Sequence, residues 1–354
     1  MKNSSLKTLI EHTLLSLQEK LDTEWYLFEE YYDLYYLTRL KMSKATLIVG
    51  PKSALFVDPK YEESARNQFP FSVYPIESLR SWMQEQHIPT LGFDPAKTSY
   101  ERYLQLKDMT SLLKPLENPL KEIRMIKSSE EIVAIKKSAE LLMKGFSYLR
   151  TLLKEGISEK EIAKAFEVYV LLEGADKLAF EPIIAFGANS AMPHHRAGET
   201  KLTKNTLILV DIGVVVDHYC SDMTRVLTFG EVDPRLLHLG KLVKDTHAEV
   251  LKHVRAGMSV HALDYLAREC IKAHGDYPIL HGLGHSIGLE VHEYPSINAR
   301  ISKELVLKEN MVVTIEPGLY LPGIGGVRYE DMILIEEKGF RNFYENLSSA
   351  TVRF

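Results

Sequence analysis

Two pairs of carboxylates in this chain sit where strands should be, each pair separated by turn chemistry. Asp211 lies in LILVDIGVVV, an almost wholly apolar run. A carboxylate buried there without a partner would cost several kcal/mol or titrate to neutral. Asp222 lies on the following strand, in YCSDMTR. A two-residue loop at Val216–Asp217 would set the two aspartates directly opposite each other, with Cβ atoms roughly 5 Å apart. Glu316, in VVTIEPGLYL, and Glu330, in GGVRYEDMIL, flank the turn-rich PGIGG of residues 322–326. A turn centred on Gly323 makes these two glutamates cross-strand partners as well. Like charges in opposed positions destabilise a sheet unless something positive lies between them. Arg225 or Arg328 could supply that charge. Two arginines do not easily neutralise four carboxylates, whereas two divalent cations do.

Imidazoles gather nearby. Residues 280–293 read LHGLGHSIGLEVHE, with His281, His285 and His292 among three glycines. Such a segment is a poor former of regular structure, and loops held by a rigid scaffold are where chemistry tends to sit. Four carboxylates and an imidazole are a mostly hard ligand set, suited to Mn²⁺, Co²⁺, Fe²⁺ or Zn²⁺ and unlike an all-oxygen Ca²⁺ cage. The glycines between the histidines set the segment apart from a helical HExxH zinc pattern. Two such ions roughly 3.5–4 Å apart activate a water and polarise a carbonyl, which is hydrolytic chemistry.

The elements that must position these groups form an α/β pattern. The chain has 354 residues, more than one ordinary core holds, so two domains are expected. ATLIVG (45–50) and SALFVD (53–58) read as a strand pair joined by a Pro-Lys turn, and LGFD (91–94) as a further strand. Residues 59–67 and 76–86 are amphipathic. A helix is predicted over 127–153, opened by Ser128, Ser129 and Glu131, and another over 158–173, where Ser158 and Glu161 make a capping box. The boundary falls between 115 and 125, where Pro115 and Pro119 break the pattern, giving domains of residues 1–122 and 123–354. Beyond it, 207–230 has the β-branched density of two long strands, 233–255 and 259–273 read as helices, and the last sixty residues return to strands.

Composition excludes several classes. No apolar stretch approaches the roughly 18 residues of a membrane span, and Glu11 and His12 interrupt any signal-peptide core. A net charge of -5 argues against a nucleic-acid partner, and Lys136 and Lys137 read as a solvated helix face. Two cysteines, Cys220 and Cys270, are too few for a disulfide framework and point to a reducing, cytoplasmic setting.

VDIG, YCSDMTR, HGLGHSIGLEVHE, TIEPGLY and GVRYED occur in the order seen in the pita-bread metallopeptidases, and the chain resembles the Xaa-Pro peptidases among them. The first 120 or so residues, with YYLTRL (35–40) and FVDPKYEESA (56–65), are similar to a creatinase-type N-terminal domain. The resemblance implies an α/β (α+β) chain whose catalytic domain is a curved, mostly antiparallel sheet flanked by helices. It implies two metal ions, manganese first and cobalt, zinc or iron as alternatives, held by Asp211, Asp222, His285, Glu316 and Glu330. His292 and His194, in AMPHHRAG, match histidines that meet substrate, with His195 a mere neighbour; His281 matches a histidine lining the same cleft. Tyr320 is expected to line a proline pocket and Arg328 to orient the aspartates and face substrate. Glu316 is the expected proton shuttle. His218 and His253 read as surface residues.

The activity so implied is cleavage of the Xaa-Pro bond at the N-terminus of peptides by a homodimer, an aminopeptidase, with the Xaa-Pro dipeptidase (prolidase) as alternative. Ser296, after HEYP, stands where some prolidases carry an arginine, which favours the aminopeptidase; the short chain after the last motif favours the prolidase. Ser286 replaces a glycine that the family often has after its metal-binding histidine. Methionine aminopeptidases normally lack the N-terminal domain and creatinase lacks the ligand set. A metal-free peptide-binding module would typically have lost ligands.

Overall fold

The computed structural model describes residues 3–345, with side chains from Leu6 onward. The chain divides into two compact units, Met1–Ile123 and Arg124–Phe354.

In the first unit a mixed six-stranded sheet runs in the order Ser72–Pro75, Ala54–Val57, Ala45–Val49, Tyr26–Phe28, Thr90–Phe93, Leu112–Pro115. The expected pair forms an antiparallel hairpin, Leu47 opposite Leu55. Both of its faces are covered, so its strands read as unbroken apolar runs. Leu47, Val49, Leu55 and Val57 pack on one side with Leu14, Leu17 and Phe28, while Ile48 and Phe56 pack on the other with Trp25 and Trp82.

The second unit opens with the two expected helices, Ser129–Thr151 and Glu159–Leu172, each started by a complete capping box, Ser128 with Glu131 and Ser158 with Glu161. Helices Pro234–Leu251 and Val260–Lys272 follow, each a few residues shorter than the sequence pattern suggests. Among the described residues no helix is long and apolar enough to cross a membrane.

Two hairpins form the sheet core, and both are broken in the middle. Thr206–Ile212 pairs with Met223–Phe229, and the same hairpin continues as Val214–Val216 with Tyr219–Cys220. Val312–Ile315 pairs with Asp331–Glu336 and continues as Gly318–Leu321 with Gly325–Arg328. The register stays constant across each break. In the second hairpin Ile315 faces Asp331 and Gly318 faces Arg328, so the turn is centred on Gly323 as expected. In the first, Asp211 faces Thr224, not Asp222. The reason is the turn: its two central residues are Asp217 and His218, both at positive φ (50° and 73°), the geometry of a type I′ hairpin. The expected loop at Val216–Asp217 is one residue early, which shifts the pairing by two. A shift of two preserves the face, because side chains alternate with period 2.

Close approach marks the first break and the neighbouring strand. A Cβ on Gly213 would lie 2.4 Å from the Ser221 carbonyl oxygen, and the neighbouring helix clamps the same point, Ser138 Oγ lying 2.9 Å from both Val214 O and Ser221 Oγ. The strand Gly284–Ser286 lies against Val312–Ile315 through Gly284, whose added Cβ would stand 2.0 Å from Thr314 O. Ser286 shows no positive φ and donates to Val312 O at 3.1 Å, so serine is accommodated where the family often has glycine. Substituting Gly284 by alanine is expected to cost about 1–3 kcal/mol or more through overpacking. Urea unfolding checks this, and a midpoint equal to the parent's would contradict the close approach.

Candidate metal centre and substrate cleft

Asp222, Glu316 and Glu330 sit at the breaks of the two hairpins, and Asp211 two residues before the first break at Gly213. A kinked strand aims these side chains out of the ladder and towards one another. They line a cavity of about 490 Å³ together with His194, His281, His285, His292 and Arg328. The first unit holds a cavity of about 570 Å³ with no carboxylate or imidazole on its wall.

Asp222, His285 and Glu330 offer ligand atoms within 4.8 Å of one another. His285 Nε2 is 3.8 Å from Asp222 and 3.5 Å from Glu316. Its Nδ1 lies 3.2 Å from the Ser286 carbonyl, the hydrogen bond that leaves Nε2 as the free lone pair. Its backbone N–H donates to Thr314 Oγ1, which fixes the base of the loop. Asp211 lies apart from the tightest group because Arg328 Nη2 holds its Oδ2 at 2.5 Å.

The protein's own groups leave this cluster unsatisfied. Asp211 Oδ1, Asp222 Oδ1 and Glu330 Oε1 are buried without a hydrogen-bond partner. Each such atom costs about 1–3 kcal/mol. Burial raises the pKa of Asp222 well above the usual range, and Glu330, Asp211 and Glu316 add to it. Glu330 is raised in the same way, by burial and then by Glu316 and Asp211. Glu316 is pushed up to about 8 by burial, helped by Asp211 and opposed by Arg328. Burial, then His292, holds His285 down to about 3, so its imidazole is neutral. Orphaned carboxylate oxygens around a neutral imidazole are the donor set that divalent cations require.

Of the two arginines, Arg328 is the counterion. It donates to Asp211, to Tyr320 Oη at 2.5 Å and to Thr224 Oγ1 at 3.1 Å, and Thr224 in turn donates to Glu330 Oε2 at 2.8 Å. Arg225 faces the other way and binds the Asp331 carboxylate and the Glu330 carbonyl. Asp331 makes the contrast plain: burial would raise it too, but Arg225 and then His247 hold it below the usual range.

Tyr320, expected on the cleft wall, is 2% exposed and lies behind it. Its hydroxyl accepts from Arg328 and lies 2.9 Å from His281 Nε2, while His281 Nδ1 lies 2.8 Å from Gly282 O. The chain of donors is satisfied by a neutral His281 protonated on Nδ1, in keeping with a pKa held down to about 4 by burial and then Arg328. His292 and His194 are solvent-open on the cavity rim. His195 also borders the cavity, but its Nε2 is bound to Glu159 Oε2 at 2.8 Å. His218 falls in the hairpin turn and His253 pairs weakly with Glu249, both outside the cleft. Phe180, Ile183 and Val291 supply an apolar wall that no motif signalled. Thr224 also escaped notice, although correct register places it opposite Asp211.

The histidine segment is tied down by buried carboxylates. Asp264 Oδ1 accepts from Leu283 N at 3.1 Å, and Arg268, paired with Asp264, reaches His281 O. Glu293 accepts from Leu289 N and Glu290 N and pairs with Arg124 and Lys127.

A kinked-hairpin α/β domain holding four carboxylates and an imidazole in one cleft defines a metallohydrolase centre. Residues 133–337 match metallopeptidase family M24, and residues 12–126 match the creatinase/prolidase N-terminal domain. The chain belongs to metallopeptidase family M24, a family of dinuclear metal enzymes. It is 35% identical to a Xaa-Pro dipeptidase of Pyrococcus furiosus over 83% of this chain and 84% of that protein. Among solved structures, a Xaa-Pro dipeptidase from Bacillus anthracis superposes with a TM-score of 0.91 at 27% identity, covering 95% of this chain and 98% of that one. An X-Pro aminopeptidase from Thermotoga maritima superposes with 0.83 at 28% identity, covering 93% and 97%.

Two outcomes follow from this geometry. A cation that relieves the carboxylate repulsion stabilises the fold by mass action, about 2.7 kcal/mol at a hundredfold excess over Kd. Thermal unfolding of chelated protein should therefore rise on adding Mn²⁺, and Asp222→Ala should abolish the rise; an equal rise in the variant would place the ion elsewhere. Glu293 gives an acid dependence. Burial raises its pKa, but Lys127 and Arg124 outweigh that and hold it down to about 2 from 4.5. A depressed folded pKa contributes stability above the unfolded value, on the order of 3 kcal/mol, and loses it as pH falls from about 4.5 towards 2. Glu293→Gln should flatten that part of an acid-unfolding curve.

Proposed function

We propose that the chain is a Xaa-Pro dipeptidase. The carrying observation is one small cavity that joins a carboxylate–imidazole cluster to an apolar wall of Phe180, Ile183 and Val291 and a rim of His194 and His292. An apolar wall suits a proline ring, and the names of the relatives favour the dipeptide substrate. The aminopeptidase reading, placed first on sequence resemblance, keeps one supporting neighbour, the Thermotoga protein, and the serine at 296.

Asp211, Asp222, His285, Glu316 and Glu330 would hold two divalent cations. When bound, such a pair supplies an acidified water and polarises the carbonyl before proline. Glu316 stands at the open side of the cluster, its Oε2 4.0 Å from His281 Nδ1, and is the group to carry a proton from the attacking water to the leaving proline nitrogen. His292 and His194 donate hydrogen bonds to the carbonyl oxygen as it gains charge. Arg328, locked on Asp211 and Tyr320, keeps the aspartate oriented.

A dipeptide also presents a free carboxylate beside the proline ring. Arg328 is committed, and Arg196 is the other arginine on the cavity wall, its side chain 86% exposed and its Nε 3.7 Å from Glu181. Arg196 is assigned here to that carboxylate. With Mn²⁺-loaded protein, Ala-Pro should be cleaved faster than Ala-Pro-Ala, and Arg196→Ala should lower kcat/KM for Ala-Pro about tenfold, roughly 1.4 kcal/mol, while leaving Ala-Pro-amide unaffected. Faster release of alanine from the tripeptide would make the chain an aminopeptidase, and no cleavage of either would refute the proline assignment.

A further inference from the structure

A fully satisfied buried carboxylate outside the metal cluster is Glu159, the first residue of the helix Glu159–Leu172, with 0% exposure. Its capping role is taken by its neighbours Ser158 and Glu161, so the helix start does not explain it. Its Oε1 accepts from Phe186 N and Asn189 Nδ2, both at 2.8 Å. Its Oε2 accepts from His195 Nε2 at 2.8 Å and Gly198 N at 3.0 Å. All four donors belong to the segment 186–198, and they flank His194 on both sides. The helix start adds a tie to the end of the segment and one just past it: Lys160 N donates to Gly198 O, and Glu159 N donates to Thr200 O. From the opposite side Arg328 Nη2 reaches Pro193 O at 3.5 Å, and Gly326 N donates to Ser190 Oγ at 2.8 Å.

We infer that Glu159 is a positioning residue for the peptidase reaction: its carboxylate fixes the 186–198 loop and thereby aims His194 into the substrate cleft. The inference rests on the proposed role of His194 at the substrate carbonyl. Such a grip pre-organises the loop. His194 is solvent-open on a segment without regular ladder pairing from 192 to 200 apart from isolated turns, and an imidazole that is to meet a developing charge has to be held before substrate arrives. A carboxylate with four donors fixes the loop at four points, and charge-assisted bonds of this kind are roughly twice as strong as neutral ones. His195, a bystander by sequence, becomes the side-chain handle by which the loop is gripped.

A double-mutant cycle tests it. Glu159→Gln keeps the shape and one carbonyl oxygen but presents an NH₂ group to His195 and Gly198. It should lower kcat/KM for Ala-Pro about tenfold, mainly in kcat, and should change it less than twofold when His194 is already alanine. Hydrogen exchange of the peptide spanning 186–200 should accelerate about tenfold or more, with exchange over 206–229 and 312–336 unchanged. Equal losses in both backgrounds would show a general structural role and overturn the inference, as would unaltered exchange of the loop or a His194→Ala chain as active as the parent. If Glu159→Gln does not fold, His195→Ala removes a single donor and takes its place in the same cycle and exchange measurement. A parent inactive on proline dipeptides would count against the substrate assignment, and the loop's exchange would still decide whether Glu159 fixes the segment.

Discussion

The structure depends on a repulsion. Four carboxylates face one cavity, three of their oxygens have no hydrogen-bond partner, and among the described residues Arg328 is the buried cation bonded to one of them. Left to the polypeptide alone, that arrangement pushes Asp222, Glu330 and Glu316 towards their protonated forms. Hydrophobic packing around the two hairpins has to hold them in place, and the buried clusters around Val313 and Leu209 do so. The site is therefore a local cost carried by the fold, of the kind that persists where function requires it.

Strand parity organises the charges. On the site face lie Asp222, Thr224, Arg328 and Glu330, linked from Thr224 to Glu330 and from Arg328 to Thr224. One residue along each strand, on the opposite face, Arg225 and Asp331 form a closed pair, with Asn342 also donating to Asp331. Glu330 and Asp331 are adjacent and equally buried, yet one is raised and the other lowered. Burial acts alike on both; the neighbours decide. The back-face pair is neutralised within the protein, whereas the front-face cluster keeps three carboxylate oxygens without a partner.

Much of this was legible in residue types and spacing. Carboxylates in apolar runs, a turn centred on Gly323, two helix starts and the glycine-flanked His285 all express local rules, and local rules survive without coordinates. The first hairpin's turn was misplaced by one residue because the sequence does not announce that Asp217 and His218 both adopt positive φ. The error did not move Asp211 and Asp222 to different faces, since it shifted the register by an even number. For Tyr320 the sequence left a cleft wall and core packing both open, and its burial behind Arg328 is a tertiary fact. Phe180, Thr224 and Glu159 were not singled out, as nothing in their immediate neighbours marks them.

Glu159 shows why such residues escape a linear reading. Its own segment explains it away as one more acid in the first turn of a helix, where acids are common. Its partners lie 27 to 39 positions downstream, and they are two backbone N–H groups, one side-chain amide and one imidazole. Asp264 and Glu293 follow the same logic, each accepting backbone N–H groups from the segment that carries His281, His285 and His292. Three buried carboxylates thus hold the loops whose imidazoles ring the cleft. A carboxylate suits this task because it accepts several hydrogen bonds at once and so fixes both ends of an irregular segment that has no ladder of its own. Acids appear here in two settings: a cluster of four in which three oxygens lack a partner, and three saturated ones bonded to the segments that carry the histidines.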